Sequence, residues 1–349
     1  MNGIRFVHTD CLRLAESVSG LAFAPSWLRR LARDSTRSAV SRVFEIAKSR
    51  NADFLFIGGS CTDSGDFQWS VRDWLEKRIR SLREQGIKVV MAASNASAAE
   101  CLADVVLNTG ECLHASRCRG QVSLTNRRTD APEASELVVS PESAGPLSDV
   151  PCNYLFHTQT RYTARAQQHG LTVYAAGVPQ SHGPHEQGES GCLVVDADPD
   201  TGRLDTVFEP TDPLRFETHR IKPPSSASSQ TICEMVIEES RTLARQQRRT
   251  TVVDWQVATP VDCPGEIESW RQDAILESVR SILQQGHIGV WPRSIELMPS
   301  SVPFVEGPDS KAIRVLRSLI FEQPGESHQE SDNIFAELIT GTRLLYGAA

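Results

Sequence analysis

The chain lacks several features that would decide its class at once. None of its apolar runs approaches the roughly 18 residues needed for a membrane-spanning helix. The N-terminal stretch Met1 to His8 reads as a short strand without the longer apolar core of a secretory leader, so none is expected. Positive charge is not in excess: 36 Lys and Arg against 44 Asp and Glu give a net charge of -8, and the pI is near 5.7. That excludes a surface tuned as a whole to polyanions, though not a local basic groove, because binding follows the field of a patch. Nine cysteines are present, but none forms a C-x-x-C pair, and Cys112 and Cys118 are too widely spaced for a zinc knuckle. Free thiols in a reducing cytoplasm are the expectation. Internal repeats, a low-complexity tail, a Ser-His-Asp constellation and a phosphate-cradling glycine loop are all missing; Gly58-Gly59 belongs to a strand end.

What remains is an ordinary globular composition, 40% hydrophobic and 23% charged, in 349 residues. That length suits one large domain plus a smaller one. The first part alternates strand and helix. Ile4 to Val7 is a short strand running into the polar turn His8-Thr9-Asp10, and Ser35 is placed to cap the helix that follows. Ala39, Val40, Val43, Phe44, Ile46 and Ala47 then form one apolar stripe at helical spacing. After the turn Asn51-Ala52-Asp53, the run Phe54 to Ile57 predicts a strand covered on both faces, ended by Gly58-Gly59-Ser60. A second amphipathic helix spans Trp69 to Glu84 and closes at Gln85-Gly86, and Ile87 to Met91 is the next buried strand. Such an order implies parallel pairing.

The middle is different. Residues 122–151 are rich in Ser, Glu, Pro and Arg and read as loop with one strand around Leu137 to Val139. Val173 to Ala176 and Cys192 to Asp196 look like paired strands. Asp198-Pro199-Asp200-Thr201-Gly202 is a strong turn between the latter and Leu204 to Val207. Residues 223–229, Pro-Pro followed by a Ser-rich run, read as a linker. A compact α/β unit over 230–300 is expected beyond it: a helix over Thr231 to Gln247, a strand over Thr250 to Ala258, a helix over Ile267 to Gln285 and a strand over Ser294 to Met298. Residues 301–349 end in a helical pattern, Asn333 to Tyr346.

Three strand ends carry the functional signal. Ile4 to Leu14, with His8-Thr9-Asp10-Cys11-Leu12-Arg13-Leu14 at its end, resembles a strand followed by H-T-A-D-x-H-L. Phe54 to Asp63 resembles F-x-L-I-A-G-D-L-F-D, and Val89 to Ser97 resembles V-x-x-I-x-G-N-H-D. In order and spacing these look like the SbcD-type DNA-repair exonucleases of the calcineurin-like metallophosphoesterases, closest to the YhaO-like branch. Ala176-Gly177-Val178-Pro179-Gln180, Gly188 to Asp196 and Phe208 to Phe216 continue the likeness in register, so that it covers about residues 1–220. The resemblance implies a layered αββα metallophosphoesterase-like β-sandwich over 1–222 and a smaller C-terminal α/β capping domain. It also implies two Mn²⁺ ions clamping a phosphate ester, and an SbcC-like ATPase and DNA as partners. No membrane partner is expected, given the lack of an apolar span, and a homodimer is possible.

The departures from the family pattern are informative. Position by position, the first aspartate ligand falls on Cys11, its histidine partner on Arg13 and the bridging aspartate on Ser60. Asn95 is retained, but the catalytic histidine falls on Ala96. The late histidine pair falls on Gln159 and Arg161, and a further histidine would lie near Ser140. Hard divalent ions need several anionic oxygens and imidazoles, and Arg13 brings a permanent positive charge instead. The expectation is a metal-free, catalytically inactive site. Asp10, Asp63 and His157 are the available substitutes, although a one-residue shift on a strand points a side chain to the opposite face. Cys11 and Cys61 are expected to be buried small hydrophobes, and His182-Gly183-Pro184-His185 a solvated loop.

Arg13, Arg117, Arg119, Arg127 and Arg128 could border the old cleft as a phosphate-contacting surface, and Arg13 could equally neutralise Asp10 or Asp63. Arg241, Arg245, Arg248 and Arg249 give a basic edge to a helix end, where cations also suit the helix dipole. Three functions follow: an inactive SbcD-like scaffold or regulatory subunit, an active phosphoesterase or exonuclease with a rearranged metal set, and an interaction protein unrelated to DNA that keeps only the fold.

Overall fold

A computed structural model describes residues 4–58, 69–93, 111–114, 119–126, 135–141, 153–157, 163–166, 172–198, 201, 203–224, 227–247, 249–259, 272–285 and 289–299. These form a mixed α/β protein whose strands build three sheets. No helix among the described residues is long and apolar enough to cross a membrane. The chain divides into two compact units, one of 1–18, 25–182 and 189–214, the other of 19–24, 183–188 and 215–349.

The first unit is organised on β1 (Ile4–Asp10), β2 (Phe54–Gly58) and β3 (Lys88–Ala93). These pair in parallel, and β4 (Glu111–His114) continues them. On the other side of β1 lie β10 (Gly191–Asp198) and β11 (Arg203–Pro210), antiparallel, giving the six-stranded order β11-β10-β1-β2-β3-β4. Successive side chains of a strand face opposite ways, so the sheet has two distinct faces. Val7, Leu55, Ile57, Val89 and Met91 meet the apolar stripes of α1 (Ser26–Ser49) and α2 (Trp69–Arg83) on one of them. Phe6, Phe54, Phe56 and Val90 line the other, with Phe6 and Phe54 stacked at 4.7 Å. Tyr174 of β9 (Thr172–Ala175) packs on that second face. Strand β9 belongs to a five-stranded sheet, β6-β5-β7-β9-β8, built with β5 (Arg119–Asn126), β6 (Ser135–Pro141), β7 (Asn153–His157) and β8 (Thr163–Ala166). Each fully buried Leu, Ile, Val or Phe contributes about 1.5–3 kcal/mol relative to exposure, so the run Phe54 to Ile57 alone is enough to fix β2 between two cores.

The second unit holds β12 (Leu214–Ile221), β13 (Thr250–Thr259) and β14 (Val290–Pro299) in one sheet, with β13 and β14 parallel. Helices α3 (Ser229–Gln246) and α4 (Gln272–Gln285) contribute Ile232, Val236, Ile275 and Val279 to its core around Trp255. Ser228 caps α3 in a capping box with Thr231.

Four sequence expectations are corrected. Ser35 is not a cap: α1 begins nine residues earlier, after Pro25, and the Ser35 hydroxyl donates to the Ala32 carbonyl within the helix. Proline at the N-cap has no side-chain oxygen to signal the start, whereas Ser35 stands just before the apolar stripe that begins at Ala39. His8-Thr9-Asp10 is strand and not turn, because those residues pair with Phe56, Ile57 and Gly58 and satisfy their polar groups internally. Strands β9 and β10 are not paired but lie in different sheets. Finally, 122–151 contains most of β5 and all of β6, paired antiparallel; the alternation of Val122 and Leu124 with polar residues carries β5.

Candidate functional site

The carboxyl end of β1 gathers the polar groups of the first unit. Residues 8 and 10 share a face of the strand, and both are fully buried. His8 Nε2 donates to Asp10 Oδ1 at 3.1 Å, and its ring lies 4.8 Å from that of Phe56. The other Asp10 oxygen accepts from the Gly177 backbone N–H at 3.0 Å, while the Asp10 N–H donates to the Gly177 carbonyl at 2.9 Å. Gly177 makes this two-way clasp at φ +79°, a conformation that disfavours side chains. Asp10 is thereby a structural acceptor, as a buried carboxylate has to be.

Beyond Asp10 the chain bends away. The Cys11 N–H donates to the Gly58 carbonyl at 2.8 Å. Cys11 is half-buried, where full burial was expected. Leu12 and Leu14 turn into the core, and between them Arg13 takes φ 48°. A bulky residue in that region costs about 1 kcal/mol or more. The strained backbone brings the Arg13 guanidinium onto Glu16: Nε to Oε2 is 2.6 Å and the second guanidinium contact 2.5 Å. Glu16 Oε2 lies 3.6 Å from His182 Nδ1, and His182 Nε2 shares a 3.0 Å hydrogen bond with the Thr36 hydroxyl. His182 is 2% exposed, which overturns the expectation of a solvated loop for that residue. His185 does fit it, being half exposed beside Glu186. The result is a chain of four side chains, Arg13–Glu16–His182–Thr36, with charges of both signs.

Gln180 lies close in sequence to this set. Its amide nitrogen donates to the Ser181 and Leu214 carbonyls at 2.9 and 2.6 Å, and its buried oxygen has no hydrogen-bond partner among the described residues. The Ser181 and Ser190 hydroxyls bond at 2.6 Å.

The other sequence candidates are placed less completely. Arg119 and His157 face each other in the register of β5 and β7, and Ser140 pairs with Gln121 in β6 and β5. Arg245, near the end of α3, is exposed and 3.7 Å from Glu238, which Arg241 also approaches, so that edge is a solvated ion-pair network. Ser60, Asp63, Asn95, Ala96, Arg117, Gln159, Arg161 and Arg248 lie outside the described residues, as do Cys61, Arg127, Arg128 and the helical pattern Asn333 to Tyr346. Among the described residues no three His, Cys, Asp or Glu side chains are grouped to hold a metal ion.

Sequence reasoning missed His8, Glu16, Thr36 and Gly177. The i, i+2 spacing of His8 and Asp10 on a buried strand was an available signal, and so was the i, i+3 spacing of Arg13 and Glu16. Thr36 and His182, 146 positions apart, carried none. No family model matches the sequence, and no curated protein matches it.

Proposed function

We propose that the protein is a metallophosphoesterase-fold subunit of SbcD type that has lost its chemistry. In this reading it serves as a scaffold or regulator alongside an SbcC-like ATPase or DNA. The observation that carries the reading is the Arg13–Glu16 ion pair, backed by His182, at the position the resemblance gives to a metal-ligating histidine. A guanidinium held there by a carboxylate repels a divalent cation and occupies the acidic group that could have bound one. Asp10, the nearest substitute ligand, has one oxygen on His8 and the other on a backbone N–H. These residues do not fit a pair of hard cations, and no metal-dependent step is derived from them. The fold part of the reading is supported by two sheets in one unit, with helices covering one face of the larger sheet and Tyr174 of the second sheet packed on its other face.

Calorimetric titration of Mn²⁺ into the metal-stripped protein tests this, run beside a Cys11→Asp, Arg13→His, Ser60→Asp variant. The natural chain is expected to give no saturable heat. Tight binding of two ions would sink the reading and turn attention to nuclease and phosphodiesterase assays.

A further inference from the structure

The first three turns of α1 carry arginine where helix physics disfavours it. Arg29, Arg30, Arg33 and Arg37 are all exposed. At 100° per residue they fall within one arc of about 100° on the helix surface. Arg29 and Arg33, and Arg33 and Arg37, are like-charge i, i+4 neighbours, an arrangement that weakens a helix. The first turn contains no acidic residue, and the N-cap, Pro25, makes no side-chain bond to the free N–H groups. Cations therefore crowd the positive end of the helix dipole, where anions are favoured. Asp34, one turn beyond Arg30, forms no ion pair among the described residues, nor do the four arginines. All this occurs in a chain whose net charge is -8. Trp27, three residues before Arg30 and next to it on the helix surface, is 39% exposed.

From this we infer that the outer face of α1 binds the sugar-phosphate backbone of a single-stranded nucleic acid. The patch is made of arginine alone, whose planar fork matches phosphate oxygens in pairs. Arg29, Arg33 and Arg37 climb the helix at about 6 Å per step, a ladder of charges that tracks a backbone, and Trp27 offers a flat face for a base to stack on. An anionic membrane fits less well. Interfacial helices bind by burying their apolar face in lipid, and here that face, with Leu28 and Val43, is already buried in the protein. The inference does not rest on the metallophosphoesterase reading, because α1 carries none of the ligand positions.

The test is fluorescence anisotropy of a labelled thymidine oligonucleotide of about 20 nucleotides with the full chain. Saturable binding is expected, weakening about 50-fold between about 50 and about 200 mM salt, as four phosphate contacts on a single strand require. The Arg29→Gln, Arg30→Gln, Arg33→Gln, Arg37→Gln variant should lose at least about tenfold in affinity and most of the salt slope, and Trp27→Ala about tenfold. Asp34→Asn, which cannot abolish the site by misfolding it, should tighten binding about threefold by removing the one negative charge in the patch. Absence of binding, a fourfold variant that binds with unchanged slope, or arginine-dependent binding to phosphatidylserine vesicles without oligonucleotide binding would each overturn the inference. Mn²⁺ uptake by the natural chain would sink the proposed loss of chemistry and leave this inference standing.

Discussion

Two strands of this chain carry a histidine and a carboxylate two residues apart, and the two pairs are satisfied by different means. In β1, His8 and Asp10 are sealed from solvent at the centre of a six-stranded sheet, and the carboxylate draws its second hydrogen bond from the Gly177 backbone. In β12, Glu217 and His219 are bonded at 2.7 Å and remain partly exposed. There the carboxylate shares its oxygens with the Gln247 side chain at 3.1 and 3.2 Å and lies 3.7 Å from Arg215, while the His219 ring tilts 5.7 Å from Trp255. A pair completed by backbone has no slack, because the N–H cannot move to another acceptor. A pair completed by side chains can rearrange and admit water. The same i, i+2 spacing is therefore rigid in one unit and adaptable in the other.

Cutting the first pair should have the largest effect. Asp10→Ala leaves His8 and the Gly177 N–H buried without their acceptor and should cost about 3 kcal/mol or more, read as a fall in the denaturation midpoint at constant slope. Close to it in size is Gly191→Ala on the neighbouring strand. A Cβ there would lie 2.2 Å from the Glu209 carbonyl oxygen, so β10 and β11 would have to separate, at about 2–3 kcal/mol by the same measurement.

The second pair should give a smaller effect that depends on pH. Burial pushes the Glu217 carboxyl upward, but hydrogen bonds from His219 and Gln247 and the charges of His219 and Arg215 outweigh it and hold the group below the usual carboxylate range. A depressed carboxyl stabilises the fold above its unfolded value of about 4.3, and that contribution disappears as pH falls through the folded value. Glu217→Gln should thus cost about 1 kcal/mol at neutral pH. The gap between natural and variant melting temperatures should close on acidification below about pH 4; a gap that persists there would mean that the pair acts by packing alone. Smallest in stability, and opposite in sign, is the fourfold arginine variant of α1. Removing like-charge neighbours should leave its melting temperature equal or slightly raised, by about 0.5 kcal/mol or less.

How far these features could be read from the sequence depended on how local their causes were. The continuous run Phe54 to Ile57 announced β2, because a strand buried on both faces has no polar alternation to confuse it. The hairpin between β10 and β11 was equally plain from its turn residues. The start of α1 was not. Pro25 gives no capping oxygen, and a boundary at Ser35 falls in the middle of the helix and leaves Arg29, Arg30 and Arg33 outside it. At the site, Arg13 stands out as a misfit in the motif that the sequence resembles, whereas its neighbourhood needs the fold, since His182 and Gly177 arrive from far along the chain. Partner choice among strands failed for the same reason: β10 adds to β1 on a different sheet from β9, and no residue within either strand dictates that.

The position of β1 between β2 and β10 also has a temporal side. Arg5 and Asp196, which clasp across β1 and β10 at 2.6 Å, are 191 positions apart. A ribosome adding about 5–20 residues each second takes roughly 10–40 s to cover that distance. Until β10 is made one edge of β1 stays open, and until Gly177 is made the carboxylate of Asp10 lacks that N–H. An open, apolar strand edge invites pairing with other chains. A nascent chain of this design therefore depends on the later synthesis of β10 to close β1, and truncations ending before residue 191 should aggregate through β1.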